Sequence, residues 1–149
     1  MKTAIHRRVD ALQAGIDPTY IARLTSGWAV MGERQVLPGY CLLLPDPVVP
    51  TLNALAAAER TQFLVDMAAL GDAVQKVTRA TRINYAILGN QERALHAHVI
   101  PRFQDEPAAY ATTHPWAYDW QAAAAFDPEL HRELLNRIHA ALGAAPAAY

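Results

Sequence analysis

The chain has 149 residues, of which 52% are hydrophobic and 18% are charged, and its formal net charge is −1 at pH 7. These values predict one globular domain, 1–149, and exclude a largely disordered chain. The near-neutral charge argues against a protein that wraps nucleic acid with a broad basic surface. The longest apolar run, 40–45, is far shorter than the ~20 residues of a membrane span. With one cysteine, Cys41, and no recognisable signal segment, we expect no internal disulfide and a cytoplasmic location.

The first half of the sequence predicts short elements followed by one long helix. Apolar spacing indicates a helix over about 4–14, whereas 20–24 fits either a helix or a strand. Apolar runs at 28–31 and 40–44, joined by a polar link with proline and glycine, predict a β-hairpin or meander. Residues 56–79 lack proline and carry one apolar stripe, so they predict the longest helix. That stripe consists of Phe63, Met67, Leu70 and Val74.

The second half of the sequence predicts two neighbouring strands, a long loop and a final helix. Residues 83–88 are strand-like, and the Gly89-Asn90 turn leads directly into a second strand over 94–102, so the two strands are expected to pair antiparallel. Residues 104–127 contain prolines and aromatic residues without periodicity, which indicates an ordered loop. Asp127-Pro128 begins a helix that ends at Gly143. The whole pattern predicts an α+β fold with an antiparallel sheet packed against the long helix.

The second of these strands carries two histidines. Because side chains alternate along a strand, Leu95, Ala97 and Val99 are expected to face the core. The opposite face then holds Ala94, His96 and His98, with the two imidazoles roughly 7 Å apart. Pro101 is a natural end to the strand, and Arg102 follows where an anion could be held.

The two histidines admit three interpretations. Surface histidines of no special role are the commonest outcome of this spacing alone. A metal site is disfavoured because zinc takes three or four protein ligands and no third one lies nearby in the sequence. Catalysis fits better, since a neutral imidazole is a good nucleophile at pH 7. The turn amides near Gly89 and the Arg102 guanidinium could hold a phosphate, which outlines a phosphoryl or nucleotidyl transfer site.

An ordered set of motifs across 24–103 resembles the histidine triad (HIT) family. The motifs are Leu88-Gly89-Asn90 and the run from Leu95 through His96, His98 and Pro101-Arg102 to Phe103, with a weaker match from Pro38-Gly39-Tyr40 to Pro45. The resemblance implies that the chain hydrolyses or transfers nucleoside monophosphates from nucleotide conjugates. It also implies that no cofactor or structural metal is needed, and it makes a homodimer an expectation.

The resemblance assigns roles to individual positions. His96 matches the middle histidine, which forms a nucleotidyl-histidine intermediate, and His98 matches the third histidine. Asn90 matches the loop that faces the phosphate, and Arg102 continues the motif beyond the strand. Glu33 is the nearest candidate for the acid that binds the ribose.

Two positions depart from the family pattern. Ala94 stands at the first histidine of the triad, and Val48 stands where a further histidine is common. Both absences favour an alternative, a catalytically degenerate module that binds nucleotide or a protein partner. The retained His96 and His98 favour the enzyme, and we expect a histidine restored at position 94 to keep or raise turnover.

Overall fold

Three α-helices and five strands lie along residues 1–143, the part of the chain described by a computed structural model. The helices are α1 (Ala4–Gln13), α2 (Ala57–Thr78) and α3 (Pro128–Gly143). The strands are β1 (Tyr20–Arg23), β2 (Gly27–Met31), β3 (Cys41–Pro45), β4 (Arg82–Ala86) and β5 (Ala97–Arg102). Short 3-10 helices cover Leu52–Ala54 and Pro115–Ala117. The last part of the predicted domain, 144–149, lies outside the described residues.

The strands form one antiparallel sheet in the order β1-β2-β3-β5-β4. The histidine strand β5 therefore lies inside the sheet, between β3 and β4. His98 is aligned with Leu42 on one side and with Ala86 on the other. The prediction of an α+β fold, with an antiparallel sheet against a long helix, is confirmed.

Helices cover both faces of the sheet. On one face, Phe63, Leu70 and Val74 of α2 are fully buried against the sheet, and Ile138 of α3 joins them. On the other face lies α1, whose buried side chains are Ile5, Val9 and Leu12. Among residues 1–143, no helix has the length and apolar character needed to cross a lipid bilayer.

The strand boundaries differ from those predicted around the histidines. The strand β5 begins at Ala97 instead of Ala94, and it continues through Pro101 to Arg102. Proline is tolerated there because pairing with β3 ends at Val99, so Pro101 has only β4 beside it. The predicted alternation of faces still holds, since Leu95, Ala97 and Val99 are buried in the core under α2.

Two further differences concern the ends of the domain. The ambiguous residues 20–24 form the edge strand β1. In α3, Leu130 is 78% exposed, because the first turn of the helix extends beyond the core. The loop 104–127 is irregular apart from the turn Pro115–Ala117 and one bridge between Ala125 and Arg34.

The burial of α2 gives a test of the fold. Leu70→Ala should lower the free energy of unfolding by about 2–5 kcal/mol, because it leaves a cavity at a fully buried position. Leu64 lies on the same helix but is 37% exposed, so Leu64→Ala should cost under about 1 kcal/mol. Urea unfolding of both variants measures the difference. Equal losses would contradict the orientation of α2.

Candidate functional site

A cavity of about 290 Å³ lies where the turn after β4 meets the histidines of β5. We call it the histidine cavity. Its lining consists of Leu88, Gly89, Asn90, Gln91, Glu92, His96, His98 and Trp116. Of the site residues predicted from the sequence, the structure brings His96, His98 and Asn90 together here. Gly89 has a φ of +74°, which suits glycine and allows the tight turn that presents Asn90.

His96 is oriented by a backbone carbonyl. Its Nδ1 lies 2.7 Å from the carbonyl oxygen of Ala94, and the residue is only 8% exposed. Because a carbonyl can only accept, Nδ1 must carry the proton. The other ring nitrogen, Nε2, then keeps its lone pair, which is the state that a nucleophilic imidazole requires.

His98 lies in a set of aromatic rings that we call the aromatic cluster. The cluster consists of Tyr40, His98, Trp116 and Trp120, with neighbouring ring centroids 5.1–5.9 Å apart. The Tyr40 hydroxyl lies 2.7 Å from Nδ1 of His98. Since the described residues offer that hydroxyl no other acceptor, we assign it as the donor. The proton of the neutral His98 ring is then on Nε2.

Partial burial favours the uncharged form of His98. Desolvation, with the neighbouring His96 as a second cause, lowers the pKa of His98 to about 4. Burial also raises the pKa of the Tyr40 hydroxyl well above its ordinary value, so Tyr40 stays protonated as a donor. The centroids of His96 and His98 lie 4.9 Å apart, so the two imidazole rings are in contact.

Arg102 lies at the far end of β5 and does not line the histidine cavity. Its guanidinium is buried, and all five of its N–H donors have protein acceptors. The acceptors are the Glu106 carboxylate, the Asn84 side chain and the carbonyls of Tyr110 and Thr113. These bonds leave no donor for a phosphate, so the structure places Arg102 as the anchor of the loop 104–127.

Glu106 completes this anchor. Besides the Arg102 guanidinium, its carboxylate accepts hydrogen bonds from the Tyr118 hydroxyl and the Phe103 N–H, both 2.7 Å away. Burial opposes its ionisation, but the bonds from Arg102, Tyr118 and Phe103 prevail and lower its pKa. The loop that carries Trp116 and Trp120 is thus tied to the end of the histidine strand.

Glu33 lies away from the histidine cavity, in the link between β2 and β3. Its side chain is 73% exposed, and its nearest cation is Arg8, at 3.8 Å. The carbonyl of Glu33 accepts a hydrogen bond from the Phe126 N–H, which ties the end of the loop 104–127 to this link. The structure therefore does not bring Glu33 to the other predicted site residues.

The two residues that depart from the family pattern, Ala94 and Val48, both pack into an apolar cluster. Ala94 is 3% exposed and is buried with Ile5 and Val9 of α1. Val48 is partly buried against the same cluster. A histidine at position 94 would have to displace side chains of α1, which argues against the expectation that it would improve turnover.

The sequence reasoning missed three residues of this site. Tyr40 and Glu92 were not singled out, and Trp116 was noted only as part of an aromatic loop. An acid two residues before the vacant triad position was the available signal for Glu92. Within residues 1–143, no three His, Cys, Asp or Glu side chains are close enough to hold a metal ion together.

Solved structures share this fold. A histidine triad protein from Marinobacter aquaeolei VT8 superposes with a TM-score of 0.75 over 98% of this chain and 100% of its own, at 18% identity. A histidine triad protein from Sinorhizobium meliloti 1021 gives a TM-score of 0.67 over 80% of this chain and 85% of its own, at 24% identity. The chain therefore has the fold of histidine triad proteins.

Sequence comparison gives the family itself. The family model of the HIT domain matches residues 19–105, and the chain belongs to the HIT family. It is also 29% identical, over 79 residues, to a Schizosaccharomyces pombe protein named bis(5'-nucleosyl)-tetraphosphatase (asymmetrical). That match covers 50% of this chain and 43% of the yeast protein, so the chain spans less than half of that relative. Family membership supports a nucleotide-binding function of the hydrolase type.

The loop anchor predicts a large effect of a conservative change. Arg102→Lys should lower the free energy of unfolding by about 1.5–3 kcal/mol, because lysine lacks the planar set of donors that binds Glu106 and the loop carbonyls. Arg82 is aligned with Arg102 on β4 and is exposed, so Arg82→Lys should stay within about 0.5 kcal/mol of the parent. Urea unfolding of the two variants decides this, and equal stabilities would refute the anchor.

The burial of His98 predicts its titration. In the folded chain, NMR should give a midpoint near pH 4 for the His98 ring, below its ordinary value of 6.5. As the pH falls, the unfolded state takes up this proton before the folded state does. The stability that the neutral His98 ring contributes is therefore complete above about pH 6.5 and is lost as the pH falls towards 4. Trp116→Ala should admit water and raise the midpoint. A parent midpoint near 6.5 would contradict the burial.

Proposed function

We propose that this chain is a nucleotide hydrolase or nucleotidyl transferase that acts at the α-phosphate of a nucleotide conjugate, through a nucleotidyl-histidine intermediate on His96. The observation that carries the proposal is the 2.7 Å hydrogen bond between Nδ1 of His96 and the Ala94 carbonyl. It fixes the proton on Nδ1 and leaves Nε2 as the free nucleophile in the histidine cavity.

The reaction has two displacements. In the first, Nε2 of His96 attacks the α-phosphorus, a P–N bond forms, and the bond to the leaving group breaks. The leaving group takes a proton from the solvent as it departs, while the positive charge that develops on the imidazole is stabilised by the Ala94 carbonyl on Nδ1–H. In the second, water attacks phosphorus, gives up a proton to the solvent, and the P–N bond breaks, which releases the nucleoside monophosphate and restores neutral His96.

His98 and Asn90 are the proposed phosphate ligands. The Tyr40 hydroxyl bonds Nδ1 of His98, so the Nε2–H of His98 is available to donate to a phosphoryl oxygen. Asn90 is exposed on the turn that lines the same cavity, where its amide can donate to another oxygen. Arg102 and Glu33 are left out of this set because neither lines the cavity. The name of the yeast relative supports a phosphoanhydride as substrate.

The alternative function is a HIT-type module that binds nucleotide or a protein partner without turnover. The specific observation in its favour is that Ala94 and Val48, at positions where the family has histidines, are packed into the apolar cluster with α1. Neither position can then supply an imidazole to the reaction. Measuring nucleotide binding and turnover on the same preparation separates the two functions.

Several sequence predictions accompany this proposal. The chain is expected to work in the cytoplasm as a homodimer, without a cofactor or metal and without binding nucleic acid or membrane. A surface that suits self-association is the edge strand β4, whose Tyr85 is 42% exposed, together with the nearby Leu88, which is 52% exposed. Sedimentation of the purified chain tests the dimer.

The proposed chemistry predicts a selective defect in one variant. His96→Ala should abolish turnover of a nucleoside 5'-phosphoramidate but keep AMP or GMP binding within about tenfold, because the side chain acts mainly through the covalent step. Kinetics and calorimetric titration measure the two quantities. Mass spectrometry after brief incubation should find a nucleotidyl adduct in the parent and none in His96→Ala.

The control for this experiment is a histidine outside the cavity. His131 of α3 accepts a hydrogen bond from the Asp127 N–H, and His131→Asn keeps an acceptor for that N–H. Its turnover should equal that of the parent. If the parent binds nucleotide but turns it over no faster than His96→Ala does, the chain is a binding module and not an enzyme.

A further inference from the structure

Glu92 lies between the N-terminal helix and the histidine cavity. One carboxylate oxygen accepts a hydrogen bond from the Ala94 N–H at 3.2 Å, and the other accepts one from the Ala4 N–H at 3.0 Å. Glu92 is also part of the cavity lining, beside His96. A single side chain therefore connects α1 to the segment that precedes the histidine strand.

Both backbone polar groups of Ala94 are engaged in this arrangement. Its N–H donates to Glu92, and its carbonyl accepts from Nδ1 of His96. This segment precedes β5 and lies outside the strand pairing of the sheet. Glu92 holds the peptide before Ala94, and the Leu95 N–H, which donates to the Val49 carbonyl at 2.8 Å, holds the peptide after it, so both bonds orient the carbonyl that binds His96.

The helix α1 binds the second carboxylate oxygen of Glu92. Ala4 is the first residue of α1, so its N–H has no acceptor within the helix, and a carboxylate is favoured at that end by the helix dipole. Ile5 and Val9 of α1 pack in the same apolar cluster as the Ala94 methyl group. The Ala94 segment is therefore fixed by packing on one side and by the carboxylate on the other.

Glu92 also places a negative charge near His96. Burial opposes its ionisation, but hydrogen bonds from the Ala94 N–H, the Thr3 side chain and the Ala4 N–H, with His96 nearby, lower its pKa. A carboxylate at this point favours the positive charge that a nucleophilic imidazole acquires when it attacks phosphorus. Glu92 thus supplies a negative charge and an orienting hydrogen bond next to position 94, where the first triad histidine is absent.

We propose that Glu92 is a positioning residue, which acts together with the Leu95–Val49 hydrogen bond to set the tautomer and orientation of His96 through the backbone of Ala94, and which couples the docking of α1 to the site. Within the described residues its carboxylate makes no hydrogen bond to the His96 ring, so it acts on that ring through the Ala94 backbone. Its kinetic consequence rests on the proposed function, whereas its effect on the His96 ring does not.

Two measurements on Glu92→Ala and Glu92→Gln test this role. The ¹⁵N NMR shifts of the His96 ring should report a fixed Nδ1–H tautomer in the parent and a mixture of tautomers in Glu92→Ala. In the same variant kcat should fall about tenfold or more while KM changes less than about threefold, because His96 is misplaced but the ligands of the phosphate are kept. Glu92→Gln retains an oxygen acceptor for the Ala94 N–H, so it should keep the parent tautomer and lose less of kcat.

Glu59 provides the matched control. Its carboxylate accepts a backbone hydrogen bond from the Ala56 N–H at the start of α2, away from the histidine cavity. Glu59→Ala should therefore leave the His96 spectrum and kcat unchanged. Parent-like His96 shifts in Glu92→Ala would overturn the proposal, and they can be recorded even if the parent shows no turnover. Lack of turnover in the parent would overturn only the proposed function.

Discussion

The buried ion pair between Arg102 and Glu106 is the constraint on which the rest of the site depends. The guanidinium terminates the histidine strand, and the carboxylate, 2.9 Å away, begins the loop 104–127. The loop contains almost no regular structure, so this pair holds its beginning, while the bridge between Ala125 and Arg34 holds its end. With the ion pair in place, Trp116 is held against His98 and Trp120 against Trp116, and the imidazole is shielded from water.

A second constraint acts from the other end of the histidine strand. There α1 occupies the sheet face beside the histidines, and Ala94 is buried beneath it. The small side chain is what allows the helix to pack so closely. At position 94 the side chain therefore serves packing, while the backbone carbonyl binds His96.

The sequence was sufficient for features that depend on local pattern. Alternation along 94–102 correctly separated Leu95, Ala97 and Val99 from the histidine face, and the stripe of α2 identified Phe63, Leu70 and Val74. The sequence was insufficient for Arg102, because the acceptor groups of that guanidinium come from β4 and from an aperiodic loop. Glu92 was missed for a similar reason, since one of its partners, Ala4, is 88 residues away in the chain.

The aromatic cluster gives the chain a built-in optical reporter. Two of the three tryptophans in the chain, Trp116 and Trp120, are stacked with centroids 5.5 Å apart. Trp116 forms part of the cavity wall and is 37% exposed. Indole emission depends on the polarity and the quenching groups around the ring. A nucleobase or phosphate that enters the cavity replaces water beside Trp116, so occupancy of the site can be followed by intrinsic fluorescence in the unlabelled protein.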